Sequence, residues 1–481
     1  MTFRPDPTFY PSPRSAMQAP AERHAYVAAL NPNGSRRPDE IVVVDLDPSS
    51  RTYRQIVGGV AMSQPGDELH HFGWNACSSA LCPYAPHPHV ERRYLIVPGL
   101  RSSRVHIIDT KPDPRKPRIV KVIEADEIAK RTGYSRLHTV HCGPDGIYVN
   151  AIGSSSGDGP GGILILDHDS FEVVGRWEVD RGPQYLAYDF WWHLTQDTML
   201  TSEWGTPNMV EDGLNPELLL GGKYGRHLHV WDLRKRRHKQ VLDLGEEYQL
   251  PLELRPAHDP TKTYGFVGVV ISLKDLSSSI WMWRAHNGAW AIQKIIEIAA
   301  EPANPDLLPP MLKDFKAVPP LLTDIDLSLD DKFLYVACWG TGELRQYDVS
   351  DPFNAKLAGM IRLGGIVRRT AHPQFSQQAL NGAPQMVEIS RDGRRVYFTN
   401  SLYRTWDDQF YPDGINGWMA KADVSPAGQL ELDPNFFVDF GDLRAHQVRL
   451  EGGDASSDSY CFALLLCGLG LCCSCSALTT G

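Results

Sequence analysis

The stretch Ile163-Leu164-Ile165-Leu166-Asp167 decides the fold, because it is an apolar run that ends in an aspartate and recurs along the chain. Comparable runs end at Asp45, Asp109, Asp232, Asp348 and, more loosely, Asp423. Short apolar runs bounded by turn residues are typical of buried strands. The terminal Asp suits the turn that follows, because its side chain accepts hydrogen bonds from nearby backbone N–H groups.

The spacing of these aspartates predicts how many units the chain contains. Successive aspartates lie 58 to 75 residues apart, except for one interval of 116 residues that has the length of about two units. Ile280-Trp281-Met282-Trp283 lies inside that interval and supplies the missing strand, which brings the number of units to seven. Such units bury their faces by packing radially against one another. We therefore predict an all-β fold, a seven-bladed β-propeller. An ordinary all-β sandwich is the alternative, but seven units are too many for one sandwich.

Other local signals complete the organisation of the chain. Two further strands follow Ser-x-Asp-Gly/Asp turns at 328–331 and 390–393, a pattern that resembles the second strand of propeller blades. Short helical insertions are predicted at 126–131 and 216–220, and the Pro-rich stretch 300–320 is predicted to be a long surface loop. We expect an N-terminal extension at 1–20, one propeller catalytic domain at 21–460 and an apolar, Cys-rich tail at 461–481 to which no role can be given.

Composition excludes two classes of partner. The formal net charge of −10 and the lack of a long basic run argue against nucleic-acid binding, since phosphate backbones repel an acidic protein. No segment reaches the roughly 20 apolar residues that a membrane span needs. The first 20 residues contain no apolar signal region, so a cytoplasmic location is expected.

The cysteines divide into two groups. Cys77, Cys82, Cys142 and Cys338 are spread through the body, whereas five others crowd the last 21 residues. The spacing in the body is not that of a disulfide framework, and paired-Cys zinc motifs are absent. Cys77 is interpreted either as a small buried hydrophobic residue or as a thiolate ligand or nucleophile.

Histidines are grouped in a way that indicates a metal site. His70 and His71 are adjacent, His138 and His141 form an H-x-x-H pair, and His446 stands alone near the C-terminus. Imidazole suits copper, zinc, iron and nickel. A structural role is the alternative, because adjacent strand residues point to opposite faces and a lone His is more often hydrogen-bonded in a core or loop.

The residues around these histidines resemble a known family. Asp67-Glu68-Leu69-His70-His71-x-Gly73-Trp74-Asn75-x-Cys77-Ser78-Ser79 looks like the signature of the selenium-binding-protein and methanethiol-oxidase family. Further matching motifs include Leu137-His138-Thr139-x-His141-Cys142, Ser202-Glu203-Trp204, Pro251-Leu252-Glu253-Leu254-Arg255 and Ala445-His446. The resemblance runs from about residue 15 to residue 458.

The resemblance implies a β-propeller oxidase that uses copper held by histidines. It further implies a small thiol and O2 as partners, with methanethiol, O2 and water converted to formaldehyde, hydrogen sulfide and hydrogen peroxide. The metal candidates carried over are His70, His71, His138, His141 and His446. Cys77 and Glu203 are candidate catalytic groups that lie near the metal or transfer protons.

Two departures from the family pattern weaken a role as a selenium carrier. Ala80 stands where some relatives have a second Cys, and some relatives also have a Cys in the early strand where this chain has Tyr53-Arg54-Gln55. Two other functions remain as alternatives: a selenium- or thiol-reactive binding protein anchored on Cys77, and a propeller scaffold for protein partners.

Overall fold

The computed structural model describes residues 4–463 except 33, 84 and 86. Seven four-stranded antiparallel sheets form the blades of a β-propeller, which confirms the predicted fold class. First strands of successive blades contact one another around the centre of the ring.

The first three blades contain the strands that will matter for the site. Blade 1 consists of β1 (His24–Leu30), β2 (Glu40–Asp45), β3 (Ile56–Ala61) and the last strand of the described residues, β30 (Arg444–Leu450). Blade 2 consists of β4 (Gly73–Trp74), β5 (Tyr94–Pro98), β6 (Val105–Asp109) and β7 (Arg118–Ile123). Blade 3 consists of β8 (Tyr134–Cys142), β9 (Ile147–Ser154), β10 (Gly162–Leu166) and β11 (Val173–Arg176).

Four more blades complete the ring. Blade 4 consists of β12 (Phe190–His193), β13 (Thr198–Thr201), β14 (His227–Asp232) and β15 (Arg237–Asp243). Blade 5 consists of β16 (Tyr248–Pro256), β17 (Tyr264–Ser272), β18 (Ser278–His286) and β19 (Ala289–Ile298). Blade 6 consists of β22 (Leu322–Leu327), β23 (Phe333–Cys338), β24 (Glu343–Asp348) and β25 (Lys356–Arg362). Blade 7 consists of β26 (Val387–Ile389), β27 (Arg395–Thr399), β28 (Trp418–Val424) and β29 (Leu430–Asp439).

The repeat detected in the sequence corresponds to one position in every blade. The aspartate-ending runs, including the looser one near Asp423, and the strand around Ile280 all lie on the third strand from the centre. The aspartates cap the next turn as expected: Asp109 Oδ1 accepts from the backbone N–H of Lys111, and Asp167 Oδ1 accepts from that of Ser170. The two strands that follow Ser-x-Asp turns are β23 and β27, which are second strands.

Blade 1 closes the ring by joining both ends of the chain. Strand β30 pairs antiparallel with β1, with Tyr26 opposite Arg449 and Val27 opposite Val448. The C-terminal strand therefore occupies the central position of the first blade. Because blade 1 also contacts blade 7 through β30 and β26, this pairing completes the circle.

The hydrophobic core lies between neighbouring blades. One cluster joins Ile96 and Ile107 of blade 2 to Val149 and Leu164 of blade 3. Each sheet therefore buries both faces, which explains why β2 reads as a continuous apolar run rather than an alternating one.

Helices are short and lie between strands. They are α1 (Pro13–Ala16), α2 (Ala125–Thr132), α3 (Pro207–Val210), α4 (Pro216–Leu220) and α5 (Arg404–Phe410), with 3-10 turns at Ser78–Leu81, Leu194–Gln196, Pro305–Leu307, Pro310–Phe315 and Pro373–Phe375. The predicted helical insertions at 126–131 and 216–220 correspond to α2 and α4. Among the described residues, no helix combines the length and apolar character needed to cross a membrane.

Two segments outside the blades contain more structure than the sequence predicted. The stretch 300–320 is not a plain loop, since β20 (Glu301–Pro302) pairs there with β21 (Ala317–Val318). Part of the expected N-terminal extension packs on the propeller, with Phe9 and Ala16 buried. The expected tail at 461–481 lies outside the described residues from position 464 onward.

Candidate functional site

Four of the predicted histidines meet near the centre of the propeller. His70 and His71 lie just before β4, separated from it by Phe72, while His138 lies on β8 and His446 on β30. These are the innermost strands of blades 1, 2 and 3, which are neighbours in the ring. All four side chains are buried. We call His70, His71, His138 and His446 the imidazole cluster.

The rings of the imidazole cluster lie in contact with one another. Ring centroids are 3.8 Å apart for His70 and His446, 4.1 Å for His71 and His138, and 4.9 Å for His70 and His138. One ligand nitrogen each from His70, His71 and His446 lies within 4.8 Å of the other two. A single ion can therefore reach several of these nitrogens.

An ion pair fixes the two segments that carry His70 and His446. Glu68 accepts hydrogen bonds from Arg444 Nη2 at 2.9 and 3.0 Å, and both side chains are buried. Glu68 also adopts a left-handed conformation with φ of 52°, which is costly for a residue with a side chain. The buried ion pair holds this turn in place, and the turn positions His70 and His71 next to β30.

One ring nitrogen of each histidine in the cluster lacks a hydrogen-bond partner. Among the described residues, His70 Nδ1, His71 Nε2, His138 Nε2 and His446 Nε2 are buried without a hydrogen bond. His446 Nδ1 lies 2.6 Å from the carbonyl oxygen of Ser401, so this nitrogen carries the proton and leaves Nε2 with a free lone pair. Four buried orphan nitrogens in one place are the pattern expected of a metal ligand set.

Burial keeps these imidazoles neutral. Desolvation lowers the pKa of His70, His71 and His138 well below 6.5, and the neighbouring imidazoles lower it further. The pKa of His446 is lowered to about 3, mainly by desolvation. Neutral imidazole is the form that binds a transition metal, so the cluster is ready to bind one at neutral pH.

A narrow apolar cavity opens beside His70. Its walls include Tyr188, Trp204, Leu252 and Trp339, and about 20 Å³ is left for the centre of a water-sized molecule. Because one water needs roughly 10–15 Å³ by this measure, the cavity accommodates one small, weakly polar molecule next to the imidazole cluster.

Glu253 is a site residue that sequence reasoning did not single out. Its Oε1 accepts a hydrogen bond from the Tyr188 hydroxyl at 3.0 Å and lies 3.5 Å from His71 Nε2. Desolvation raises the pKa of Glu253, although Arg255, 3.2 Å away, opposes the shift. The sequence did carry a signal for Glu253. It is a carboxylate between two leucines, inside the stretch 251–255 that resembles the family.

His141 does not join the imidazole cluster. It lies on β8 like His138, but its buried ring packs edge-on against Trp191 with a centroid distance of 3.8 Å. No ring contact joins His141 to any member of the cluster within residues 4–463. His141 lies three residues further along β8, beyond the register shift between Leu137 and Val140, and also contacts the ring of Phe190. The structure therefore gives His141 a packing position.

Cys77 and Glu203 also lie apart from the cluster. Cys77 is buried, with its Sγ 2.9 Å from Ser79 Oγ and 3.8 Å from the carbonyl oxygen of Cys142. Glu203 accepts hydrogen bonds from His227 and His229 at 3.0 and 2.9 Å beside a separate cavity of about 500 Å³. Burial raises the pKa of Glu203, but the two histidines outweigh it and hold the pKa at about 2.

One disulfide, which was not predicted from the sequence, joins a cysteine of the body to the first cysteine of the tail. Cys82 is bonded to Cys461, with their Cα atoms 5.8 Å apart and a sequence separation of 379. The pairing was not apparent from the sequence, because it depends on the return of the chain to blade 2 after the last blade is complete. Cys77, Cys142 and Cys338 are free and buried.

Comparison with known proteins places the chain in a family over nearly all its length. The sequence profile described as 56kDa selenium binding protein (SBP56) matches residues 3–461. Selenium-binding protein 2 of Mus musculus is 40% identical over 474 residues, covering 93% of this chain and 97% of that protein. Methanethiol oxidase of Bos taurus is 39% identical with the same coverage. The X-ray structure of a hypothetical selenium-binding protein from Sulfolobus tokodaii is 62% identical, with a TM-score of 0.93, and covers 95% of this chain and 100% of that one.

Proposed function

Because the chain belongs to the 56 kDa selenium-binding protein family, we propose that it is a copper-dependent methanethiol oxidase. The reaction converts methanethiol, O2 and water to formaldehyde, hydrogen sulfide and hydrogen peroxide. Relatives at about 39% identity, among them the Bos taurus protein, are named methanethiol oxidase. The observation that carries the proposal is the imidazole cluster at one end of a small apolar cavity.

The imidazole cluster suits copper as the cofactor. His70, His71 and His446 would hold it, with His138 beside them, since their free nitrogens converge. Bound copper would supply a soft Lewis acid that binds thiolate sulfur and exchanges electrons. The pairing of His446 Nδ1 with the Ser401 carbonyl would fix the tautomer and the orientation of that ligand.

The cavity accounts for the size of the substrate. Methanethiol has only two heavy atoms, and beside His70 about 20 Å³ is left for the centre of a water-sized molecule. Rings of Trp204 and Trp339 and the side chain of Leu252 form walls that favour a methyl group over a polar one. Longer thiols would have to displace these buried side chains.

Glu253 and Tyr188 are the groups placed to move protons. The thiol must lose a proton on binding, and water must lose protons when it adds to the oxidised carbon. Glu253 lies 3.5 Å from His71 and is hydrogen-bonded to Tyr188, which also lines the cavity. Overall, the carbon loses two electrons, O2 gains them with two protons to give peroxide, and sulfide leaves as hydrogen sulfide.

The test is copper content and oxygen uptake on purified full-length protein. We expect copper by elemental analysis and methanethiol-dependent oxygen uptake in the natural sequence. His446→Ala should lower copper affinity by more than the roughly 10–100-fold typical of groups that only orient a ligand, and oxygen uptake should be lost. His372→Gln is the matched control, a buried histidine between blades 6 and 7 that packs on Phe437.

The same experiment separates the alternatives. Protein that binds no copper and consumes no oxygen would contradict the oxidase and favour a binding or scaffold role. A thiol-reactive binding protein anchored on Cys77 would need that thiol to be accessible, whereas its exposure is 2%. Rapid labelling of Cys77 in the folded protein would support the binding role.

A further inference from the structure

A second group of metal-binding side chains lies outside the imidazole cluster. His87, Cys142 and His168 each offer one ligand atom, and the three atoms lie within 4.8 Å of one another. His87 is in the connection between β4 and β5, Cys142 ends β8, and His168 is in the turn between β10 and β11. Nothing in their sequence spacing predicts that they meet.

The distances in this group fit coordination of one ion. Cys142 Sγ lies 3.5 Å from His87 Nε2 and 3.6 Å from His168 Nε2. With metal–sulfur and metal–nitrogen bonds of about 2.3 and 2.05 Å and tetrahedral angles, sulfur and nitrogen ligands lie about 3.6 Å apart. The observed separations match that value. The two imidazole rings have centroids 4.3 Å apart and planes inclined by 30°.

Hydrogen bonding in this arrangement is weak. The thiol can donate its proton to one imidazole nitrogen, but its sulfur is only a weak acceptor from the other. One metal ion would bind all three atoms at once. Cys142 and His87 are buried and His168 is half-buried, so the group is shielded but can be reached from the surface at His168.

We propose that His87, Cys142 and His168 form a second metal site, for a Zn²⁺ or Cu⁺ ion. One thiolate with two imidazoles is a ligand set that both ions accept, because thiolate selects soft and borderline metals. Three protein ligands leave a position for water. The site is independent of the proposed oxidase reaction and contains the thiolate that the imidazole cluster lacks.

A metal bound at this site would also link neighbouring blades to each other. The connection between β4 and β5 is already tied to the chain end by the Cys82–Cys461 disulfide. A metal on His87 would also tie this connection to blade 3 through Cys142 and His168. The ion would therefore cross-link two adjacent blades whose innermost strands carry His70, His71 and His138.

Cobalt titration of the metal-free full chain tests the proposal. Co²⁺ in a tetrahedral thiolate site gives a sulfur-to-metal charge-transfer band and visible d–d bands, whereas a site of imidazoles alone gives no sulfur band. We expect one thiolate-bound cobalt per chain in the natural sequence. His446→Ala should keep the sulfur band, which makes the result independent of the imidazole cluster. Cys338→Ser, at a buried free cysteine of blade 6, should also keep it.

Cys142→Ser should abolish the sulfur band. His168→Gln changes a half-buried position. It should weaken cobalt binding more than about 100-fold, which exceeds the effect of losing a group that only orients a ligand. Zn²⁺ or Cu⁺ added to the cobalt protein should remove the band, and the more effective ion identifies the preferred metal. The proposal is overturned if the natural sequence gives no sulfur band, if His168→Gln leaves affinity unchanged, or if neither ion displaces cobalt.

Discussion

Acid should destabilise the metal-free protein, because the imidazole cluster is buried without charge. The pKa of His446 is lowered from 6.5 to about 3, mainly by desolvation. In the unfolded chain the same side chain recovers a pKa near 6.5. Between these values the unfolded state binds a proton that the native state does not, so the free energy of unfolding falls as pH falls.

The size of the effect follows from the pKa difference. Each pH unit below the unfolded pKa costs about 1.4 kcal/mol per histidine. Lowering the pH from about 6.5 to about 4.5 should therefore cost about 3 kcal/mol through His446 alone. His70, His71 and His138 act in the same direction, since their pKa values are also lowered.

Urea unfolding followed by tryptophan fluorescence measures this loss. Metal-free natural protein, His446→Gln and His286→Gln would be compared at pH 7 and pH 4.5. His446→Gln should lose about 3 kcal/mol less on acidification, even if it is less stable at pH 7. His286 is exposed, so His286→Gln should follow the natural protein. An equal loss in His446→Gln and the natural protein would refute the claim that His446 is buried neutral.

Three further predictions test the site and the chain end. Glu253→Gln should keep copper but lower the rate of methanethiol oxidation by about 10²–10⁴-fold, as loss of a proton-transfer group does; unchanged turnover would remove Glu253 from the reaction. Leu252→Ala should enlarge the cavity and raise the rate with propanethiol relative to methanethiol, and an unchanged ratio would show that this wall does not select the substrate. Truncation after Ala463 should leave thermal stability unchanged, whereas truncation after Tyr460 removes Cys461 and should cost about 2–4 kcal/mol, a difference that a reducing agent should abolish.

The disulfide also bears on where the protein works. A cytoplasmic location was expected from the absence of an apolar N-terminal signal region in the sequence. Disulfides such as Cys82–Cys461 are more typical of oxidising compartments. Non-reducing mass spectrometry of protein from its native source would show whether this bond is present.

The sequence by itself determined the seven-bladed propeller and most of the imidazole cluster. Strand signals are local, since an apolar run followed by an Asp turn can be read within about ten residues. The third strands of six blades were found in this way, and the seventh, around Ile280, was placed from the double-length interval that contains it. His70, His71, His138 and His446 were found through their grouping and their resemblance to a family, and ring closure brings them together.

Only the tertiary structure decided which side chains share a site. His138 and His141 are three residues apart on β8, but His138 packs against His71 in the cluster and His141 packs against Trp191. Glu253 reaches His71 across the centre of the ring, and Cys461 reaches Cys82 from 379 residues away. These contacts depend on the packing of blades 1 to 5 around one axis. The spacing of strands along the sequence specifies which strands form each blade, but it does not specify which side chains of different blades meet.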